Sequence, residues 1–334
     1  MQKKSKKILV IRLGAIGDVV HTTIIPKSIK LKHPDYEIHY LTENRIVPLL
    51  ENNPYIDKVL TLNASLKRDN LYILKTGLML FRERYDIVYN LTNAVRNNML
   101  AFMAFPKRIV SRVNTEGSWV EDYFCTAKKA VKDIEIADSL TLTVNGAADT
   151  KIRSFLEPYQ RPYTIFVPAG KNDKTRQGRI WNIKKWGTLA SEILSEYGGT
   201  IFVCGGKKEK EYQSAISGKR VILTSGDFSL TESAALLSHA DLVISSDTGP
   251  VHIASALDVN TLAILGSTSP DKIKPYGAKG HYVSAPDGCR FCWKKKCKHL
   301  TKDQVYTPCM ERITPEMIMK EISRYNLLLV DDAN

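Results

Sequence analysis

The sequence has no long hydrophobic run. Its 334 residues contain no stretch approaching the roughly 18 apolar residues that a membrane-spanning helix requires. Lysines near the start precede an apolar run, but Arg12 and Asp18 interrupt that run and no small-residue cleavage site follows. These absences argue against a membrane-spanning protein and against a secretory signal, so we expect a cytoplasmic protein.

Acidic residues are scarce relative to basic ones. Asp and Glu number 35 against 48 Lys and Arg, which gives a formal net charge of +13. Such a surplus favours a polyanionic partner, namely nucleic acid, an anionic membrane surface or a phosphorylated substrate. Charge alone does not choose among these three classes.

Cysteine is infrequent except in one segment. Four of the six cysteines follow the spacing C-x2-C-x4-C-x11-C, at Cys289, Cys292, Cys297 and Cys309. In a cytoplasmic protein this clustering favours a structural Zn or Fe site over disulfides. The alternative is a surface loop whose cysteines are incidental. We expect these cysteines not to take part in the chemistry, because they are distant in sequence from the motifs described below.

The cysteine segment is also basic and contains two aromatic residues. Phe291 and Trp293 are interleaved with six basic residues, Arg290, Lys294, Lys295, Lys296, Lys298 and Lys302. A basic cluster with aromatic residues favours contact with anionic lipid headgroups. A zinc-ribbon-like surface for nucleic acid is the alternative.

Strand-like apolar runs alternate with helical patterns along the chain. The first half contains strands over Lys7–Arg12 and Glu37–Leu41 and helices over Asp18–Leu31, Asn44–Glu51 and Lys67–Arg84. This alternation is typical of a parallel sheet with helices on both faces. The sequence therefore predicts an α/β fold of the doubly wound type.

The alternation is interrupted at Pro158 and Pro162, and a second series then begins. We therefore predict two Rossmann-like domains, residues 1–160 and 161–314. The second domain contains the cysteine segment 289–309.

A last helix is predicted at the end of the chain. Thr314 is a plausible N-cap and Pro315 suits the first helical position. Residues 315–334 are expected to form a helix that can pack back on the N-terminal domain. Two doubly wound domains in tandem usually bind ligands in the cleft between them, at the carboxyl ends of the strands.

The first strand ends in a turn with the sequence R-L-G-A-I-G-D, from Arg12 to Asp18. Gly14 and Gly17 allow a tight turn and the close approach of a ligand, and the next helix directs backbone N–H groups to the same place. The alternative interpretation is that Asp18 merely caps this helix, since Asp is a favoured N-cap. The turn lacks the full three-glycine dinucleotide fingerprint.

A second polar turn follows the strand predicted over Leu242–Ser245. It contains Asp247, Thr248, Gly249 and His252. The glycine removes side-chain bulk and the proline after it suits a first helical turn, so backbone N–H groups here can face a diphosphate. His252 would add a donor; the alternative is a structural histidine.

The two turns follow a combined pattern. It reads R-x4-G-D-x3-T over Arg12–Thr22, D-T-G-x2-H-x3-A-L over Asp247–Leu257 and G-S-T-S-P over Gly266–Pro270. With Y-D-I-V-Y-N-L over Tyr85–Leu91 and Arg96, this pattern resembles glycosyltransferase family 9, the ADP-heptose:lipopolysaccharide heptosyltransferases. The resemblance spans nearly the whole chain and does not identify one acceptor.

The resemblance implies a GT-B fold, in which two doubly wound Rossmann-like domains face a central cleft. It also implies an inverting sugar transfer that requires no metal or other cofactor for catalysis. Asp18 is then the general base that deprotonates the acceptor hydroxyl, and Arg12 and Arg96 lie on the acceptor side. The residues implied around the sugar are Gly14, Gly17 and Asp247.

The donor implied by the resemblance is ADP-heptose, bound mainly by the second domain. Glu209 or Glu211 is then placed to bind the ribose. The residues implied at the diphosphate are Arg179, Thr248, Gly249 and His252.

Arg179 departs from the family pattern. The family often has Lys before x-Trp-Pro, whereas this chain has Arg179-Ile180-Trp181-Asn182. The positive charge is retained. Three nearby basic residues are alternative phosphate contacts: Lys171, Lys174 and Arg176.

The resemblance favours a heptosyltransferase that acts on the inner core of lipopolysaccharide or lipooligosaccharide, peripheral on the cytoplasmic face of the inner membrane. The partners implied are Kdo-lipid A or heptosylated lipid A and the anionic membrane surface, and no nucleic acid is expected. A protein O-heptosyltransferase of the autotransporter branch, whose members carry a four-cysteine iron finger, is one alternative. A basic nucleic-acid-binding protein with a zinc module is an alternative of another class, which salt-sensitive binding of DNA or RNA would reveal.

Overall fold

The chain forms two compact units. A computed structural model describes residues 5–66, 69–92, 94–168, 177–301 and 304–329. The units are residues 1–145 and 146–334. The division comes earlier than the predicted boundary after residue 160, because Phe155 already packs on aromatic residues of the second unit. Its ring centroid lies 5.1 Å from that of Phe228 and 5.8 Å from that of Phe202.

The N-terminal unit contains a parallel five-stranded sheet. Its strands are β1 (Lys7–Ile11), β2 (Glu37–Glu43), β3 (Lys58–Leu62), β4 (Ile87–Asn90) and β5 (Arg108–Ser111). Its helices are α1 (Ile16–Thr22), α2 (Ile24–Lys32), α3 (Asn70–Arg82), α4 (Val95–Met103) and α5 (Trp119–Lys128). Side by side, the strands follow the order β3-β2-β1-β4-β5, and every pair is parallel.

The central strand β1 is apolar throughout its buried part. Ile8, Leu9, Val10 and Ile11 have no exposed surface. A parallel strand covered by helices on both faces requires such a continuous apolar run, whereas a strand with one face in water alternates. The predicted parallel sheet of this unit is confirmed.

Two helices predicted for this unit differ from the observed ones. The helix expected over residues 18–31 is two helices, because the hydroxyls of Thr22 and Thr23 donate to carbonyls one turn earlier, an interaction that bends helices. The helix expected over residues 44–51 is reduced to a short 3-10 turn at Val47–Leu49.

The C-terminal unit contains a parallel six-stranded sheet. Its strands are β6 (Tyr163–Val167), β7 (Thr200–Val203), β8 (Val221–Leu223), β9 (Leu242–Ser246), β10 (Thr261–Leu265) and β11 (Gly280–Ser284). Its helices are α6 (Gly146–Leu156), α7 (Ile183–Glu196), α8 (Lys210–Gln213), α9 (Leu230–Ser238), α10 (Gly249–Ala256), α11 (Pro270–Ile273), α12 (Pro308–Glu311) and α13 (Pro315–Arg324). The strand order is β11-β10-β9-β6-β7-β8. Within the described part of the chain, no helix has both the length and the apolar character needed to cross a bilayer.

The last helix belongs to the core of the C-terminal unit. Thr314 caps α13 by accepting from the N–H of Met317, and Pro315 is its first residue, as predicted. Ile318 and Ile322 are fully buried in the core that also contains helix α7. Its buried face therefore contributes to the unit that precedes it in the chain, and its packing on the N-terminal domain stays a prediction.

Each sheet changes its winding direction at one place. In the N-terminal sheet β2 and β3 lie on one side of β1, and β4 and β5 lie on the other; in the C-terminal sheet β7 and β8 lie on one side of β6, and β9 to β11 lie on the other. Ligands of doubly wound sheets bind at such switch points, beyond the carboxyl ends of the strands. Functional side chains are therefore expected after β1 and β4 in one unit and after β6 and β9 in the other.

Candidate active site

The turn after β1 leads directly into α1. The helix begins at Ile16, so Asp18 is its third residue, and the interpretation of Asp18 as the helix cap is wrong. The cap position is held by Ala15, which makes no side-chain hydrogen bond to the helix and has a φ of 33°. A non-glycine residue rarely adopts this left-handed conformation, and backbone strain of this kind concentrates at functional sites.

Arg12 holds Asp18 in place. The Nη2 group of Arg12 donates to Oδ2 of Asp18, and its Nη1 group donates to the carbonyl of Leu91 at 3.0 Å. Because Leu91 directly follows β4, Arg12 bridges the switch point between β1 and β4. The two side chains are 11% and 20% exposed, so the ion pair is sheltered and still accessible from solvent.

Two buried tyrosines lie near this ion pair. Burial raises the pKa of Tyr40 on β2 and of Tyr123 on α5, and the negative charge of Asp18 adds to both effects. Tyr40 shares a hydrogen bond with Thr22. The hydroxyl of Tyr123 and Nε of Arg12 are buried and have no hydrogen-bond partner among the described residues. Buried polar atoms usually have partners, so these two suit a polar ligand.

The other acceptor-side candidates lie at the same edge of the sheet. Arg96 is half-buried in the first turn of α4, which follows β4. Gly17 is the second residue of α1. A Cβ atom at Gly14 would lie 3.9 Å from Oε1 of Glu43, an ordinary contact, so space does not demand a glycine there.

Arg179 and Asp247 form a similar pair in the C-terminal unit. Nε of Arg179 donates to Oδ2 of Asp247 at 3.0 Å. Asp247 directly follows β9 and is 2% exposed, and a carboxylate this buried requires a charged or hydrogen-bonding partner. Arg179 ends a 3-10 turn, Gln177–Arg179, that follows β6 in the chain. The pair therefore joins the segments that follow the two strands of this switch point.

The helix start predicted after β9 is present. Helix α10 begins at Gly249, with Thr248 as the N-cap residue and Pro250 in the first turn. The hydroxyl of Thr248 lies 3.3 Å from the carbonyl of Ser246 and makes no cap hydrogen bond. The first N–H groups of a helix have no partner within it, and the positive end of the helix dipole favours an anion.

His252 is buried in the first turn of α10 and is 3% exposed. Burial, and secondly the charge of Arg179, lower the pKa of His252 to about 3. At neutral pH the imidazole is therefore uncharged and can donate a single N–H. The positive charge at this turn comes from Arg179.

Two further hydroxyls follow β10, the strand next to β9. Ser267 and Thr268 are buried, and neither hydroxyl has a hydrogen-bond partner among the described residues. A Cβ atom at Gly178 would lie 2.5 Å from Cβ of Ser267, so the turn that carries Arg179 packs directly on this segment. Both residues belong to the G-S-T-S-P motif over Gly266–Pro270, but the sequence predicted no role for either of them.

The cysteine segment is hydrogen-bonded to these same turns. Its separation from them along the chain is therefore not matched by separation in the fold, and the expectation that its cysteines take no part in the chemistry stays a prediction. Four hydrogen bonds make the connection: Phe291 N–H to Gly266 O at 3.1 Å, Trp293 N–H to Ser267 O at 2.8 Å, Gln177 N–H to Lys295 O at 3.2 Å and Cys297 N–H to Gln177 Oε1 at 2.9 Å.

The four clustered cysteines are free thiols. Burial raises the pKa of Cys309, and Cys289, Cys297 and Cys292 raise it further, so these three thiols lie within electrostatic reach of Cys309. Among the residues that the structure describes, no group of three or more His, Cys, Asp or Glu side chains is arranged to hold a metal ion. The Zn or Fe site stays a prediction.

The two candidates for ribose binding lie in different surroundings. Glu209 is half-buried, and its Oε2 lies 2.5 Å from where a Cβ atom at Gly206 would be, so its carboxylate covers the turn after β7. Glu211 is exposed on α8. Four basic candidates lie outside the described residues: Lys171, Lys174, Arg176 and Lys302.

The chain is similar to known glycosyltransferases. The profile of glycosyltransferase family 9 (heptosyltransferase) matches residues 73–302. Lipooligosaccharide heptosyltransferase 2 of Haemophilus influenzae is 24% identical over 95% of this chain and 98% of its own. The glycosyl transferase family 9 structure from Veillonella parvula has a TM-score of 0.83 at 19% identity and covers 98% of both chains. The structure of E. coli ADP-heptose lps heptosyltransferase II has a TM-score of 0.76 at 20% identity and covers 98% of this chain and 100% of that one.

The superpositions extend over both doubly wound units, so the predicted GT-B fold is confirmed. The profile match covers more than half of the chain and includes the turns that contain Arg179, Asp247 and Ser267. On this evidence the chain belongs to glycosyltransferase family 9, the heptosyltransferase family, and is a glycosyltransferase.

Proposed function

We propose that this enzyme transfers heptose from ADP-heptose to the inner core of lipopolysaccharide or lipooligosaccharide, with inversion at the anomeric carbon. The names of its relatives support the donor and the acceptor class. The observation that carries the proposal is the chemistry at the two switch points. One offers a carboxylate oriented by an arginine, and the other offers an arginine, a helix N-terminus and buried hydroxyls.

Asp18 is the general base in this proposal. An acceptor hydroxyl must lose a proton as its oxygen attacks the anomeric carbon, and a positioned carboxylate can accept it. Because Oδ2 of Asp18 is bonded to Arg12, the carboxylate has a fixed orientation and Oδ1 is the atom that takes the proton. Arg12 is a positioning residue, and with Arg96 it would face the anionic groups of the acceptor.

The C-terminal unit binds the leaving ADP in this proposal. Negative charge grows on the diphosphate as the glycosidic bond breaks, and groups that bind it more strongly at that stage accelerate the reaction. Arg179 supplies the positive charge, the start of α10 at Thr248 and Gly249 supplies N–H groups, and neutral His252 supplies one more donor. Glu209, whose carboxylate covers the turn after β7, is better placed for the ribose hydroxyls than exposed Glu211.

Asp247 and the two glycines of the first turn have supporting roles in the proposal. Asp247 fixes Arg179, and its buried carboxylate is adjacent to the position proposed for the sugar diphosphate. Gly14 and Gly17 lie in the turn that leads to Asp18 and adjoin the sugar in this proposal.

The four clustered cysteines are of the right kind and number to hold a structural metal. Four sulfur donors satisfy a tetrahedral Zn or Fe site. The chain supplies four thiols, of which Cys289, Cys292 and Cys297 lie within electrostatic reach of Cys309, although they are not arranged as ligands. A metal held by these thiols would stabilise the segment that is bonded to Gly266 and Ser267, and no step of the transfer depends on it.

The proposed acceptor is Kdo-lipid A or heptosylated lipid A at the cytoplasmic face of the inner membrane. The decisive experiment offers the purified full chain ADP-heptose together with lipid A carrying Kdo, with and without a first heptose. We expect heptose to be transferred to one of these acceptors, with the configuration at its anomeric carbon opposite to that in the donor. Turnover only with a protein acceptor would replace this proposal by the autotransporter alternative, and salt-sensitive binding of nucleic acid without transfer would refute it.

A further inference from the structure

Helix α3 exposes an apolar stripe. Its buried side packs into the N-terminal core through Ile73 and Leu80. On the opposite side, large apolar residues recur at helical spacing with about half of their surface in solvent: Leu71 at 59%, Leu74 at 48%, Leu78 at 51% and Phe81 at 52%. A helix that is apolar on both sides needs a second partner, since solvent normally faces polar residues.

The stripe continues onto α4 and the turn after it. Val95, Met99, Phe102 and Phe105 are 84%, 44%, 71% and 74% exposed. The rings of Phe81 and Phe105 are 6.1 Å apart, which joins the two sets into one surface. We call this surface the α3–α4 face. It contains eight large exposed apolar side chains, and contiguous patches of this kind mark interaction sites on soluble proteins.

The α3–α4 face is rimmed by positive charge. Residues 70–82 and 94–109 contain no Asp or Glu. They contain four exposed basic residues: Lys75, Arg82, Lys107 and Arg108. Lys107 forms an ion pair with Asp86 at 2.5 Å, which fixes its position next to Phe105 and leaves its side chain 75% exposed.

This combination selects one kind of partner. A second copy of the chain in a two-fold contact would place the same cations opposite each other, while the acidic residues beside the face, Glu83 and Asp86, are already paired with lysines. An anionic lipid surface matches both features, because apolar side chains enter the boundary between headgroups and acyl chains while Lys and Arg remain among the phosphates. We propose that the α3–α4 face binds an anionic lipid bilayer and holds the enzyme on the membrane surface.

This inference deepens the proposed function, because a lipid-anchored acceptor lies in such a surface, but its evidence is separate from the catalytic residues. It also differs from the sequence-based prediction, which assigned lipid contact to the basic cysteine segment. That segment lies in the C-terminal unit and is bonded to the turns of the proposed donor site.

The test measures binding of the full chain to vesicles without donor or acceptor. Vesicles of phosphatidylethanolamine and phosphatidylglycerol are compared with vesicles of phosphatidylcholine. The triple variant Leu74→Ser, Leu78→Ser and Phe102→Ser removes apolar side chains that are already exposed, so the fold should tolerate it. We expect its partition coefficient on anionic vesicles to fall by at least about tenfold. A matched control removes three exposed apolar residues elsewhere and should leave binding unchanged: Leu31→Ser, Val305→Ser and Leu329→Ser.

Charge reversal is the second arm. Lys75→Glu with Arg82→Glu should weaken binding to anionic vesicles by about fivefold for each residue and leave the weak binding to phosphatidylcholine unaltered. The inference is overturned if wild-type protein ignores anionic vesicles, or if the apolar triple variant binds them normally. It is also overturned if reversal of Lys294, Lys295 and Lys296 abolishes binding while the α3–α4 variants retain it, or if the triple variant changes only the oligomeric state.

A further measurement separates this inference from the proposed function. Transfer to a deacylated, water-soluble acceptor should be equal in wild-type protein and in the apolar triple variant. If wild-type protein binds anionic vesicles through this face but transfers heptose to no acceptor, the proposed function fails while the membrane surface stands. If transfer proceeds but vesicle binding is absent, only the membrane inference fails.

Discussion

Replacement of Asp18 by Asn tests the proposed chemistry most directly. The amide keeps the size of the carboxylate and its oxygen can still accept a hydrogen bond from Arg12, but it cannot accept a proton from an acceptor hydroxyl. Loss of a positioned general base usually costs about 10²-fold to 10⁴-fold in rate. We therefore expect transfer by Asp18→Asn to fall at least about 10²-fold, which corresponds to about 2.7 kcal/mol in activation free energy.

The effect on folding should be much smaller. The Arg12–Asp18 ion pair is sheltered, with side-chain exposures of 11% and 20%, but its geometry can survive in the variant as a hydrogen bond from the Arg12 guanidinium to the amide oxygen. Replacing a partly exposed ion pair by such a bond should lower the free energy of unfolding by about 1 kcal/mol. The affinity for ADP should be unchanged, because the proposed diphosphate ligands belong to other elements.

The matched control is Asp57→Asn. Asp57 is also an ion-paired aspartate of the N-terminal unit, 2.9 Å from Lys30, and it precedes β3 at the amino edge of the sheet, opposite to the edge that holds Asp18. Steady-state transfer, calorimetry with ADP and thermal unfolding are measured for both variants. Near-normal turnover by Asp18→Asn would refute the assignment of the base, and an equal loss of turnover in Asp57→Asn would show that the loss is structural.

The remaining predictions concern the C-terminal unit. Arg179→Ala and His252→Ala should each weaken ADP binding or slow transfer, with the larger effect, about 10²-fold, for Arg179 because it carries the charge; unchanged ADP affinity and turnover in both would remove the diphosphate site. Asp247→Asn should lower the dissociation constant of ADP, measured by calorimetry, by roughly tenfold, because a negative charge next to the diphosphate is lost. Weaker binding would show that Asp247 acts mainly by fixing Arg179. His252 is neutral in the fold, whereas in the unfolded chain it takes up a proton below its ordinary pKa of 6.5, so the free energy of unfolding decreases as the pH falls from 6.5 toward 3. Denaturant unfolding of His252→Gln should show a weaker decrease of this free energy over the same pH interval. An identical decrease in the variant and the wild-type protein would contradict a buried neutral imidazole. Elemental analysis of protein purified without a histidine tag should find about one Zn or Fe per chain. The Cys292→Ser variant should lose the metal and melt at a lower temperature, but keep its activity per folded molecule. Metal-free protein with an unchanged melting temperature would show that the four cysteines are incidental.

Much of the fold follows from short-range patterns in the sequence. The apolar run of β1 predicted a parallel strand, which the structure confirms, and the turn sequences after β1 and β9 indicated the places where we propose that ligands bind, because these features depend on neighbouring residues. Helix limits were less predictable. The break at Thr23 depends on hydroxyls that bond to the backbone, which the apolar periodicity of residues 18–31 does not indicate.

The composition of the candidate sites was predictable only in part. Asp18, Arg179 and His252 stand in recognisable motifs, but Arg179 pairs with Asp247, and the pKa of His252 is lowered by burial and by Arg179, which are contacts between residues distant in sequence. Arg12 is positioned by the carbonyl of Leu91, and Tyr123 reaches the same place from a helix with no motif of its own. Such contacts arise from the strand order of the sheet and cannot be inferred from spacing along the chain.

The ion pair of Arg179 with Asp247 has a consequence for the end of the catalytic cycle. An arginine whose charge is already shared with a buried carboxylate attracts a diphosphate less strongly than an unpaired one would. If Arg179 binds the diphosphate as proposed, the spent nucleotide is easier to release, and release of product is a common limit on turnover. In the proposed donor site, Asp247 would therefore shorten the time for which the product stays bound, at the cost of some affinity for the nucleotide.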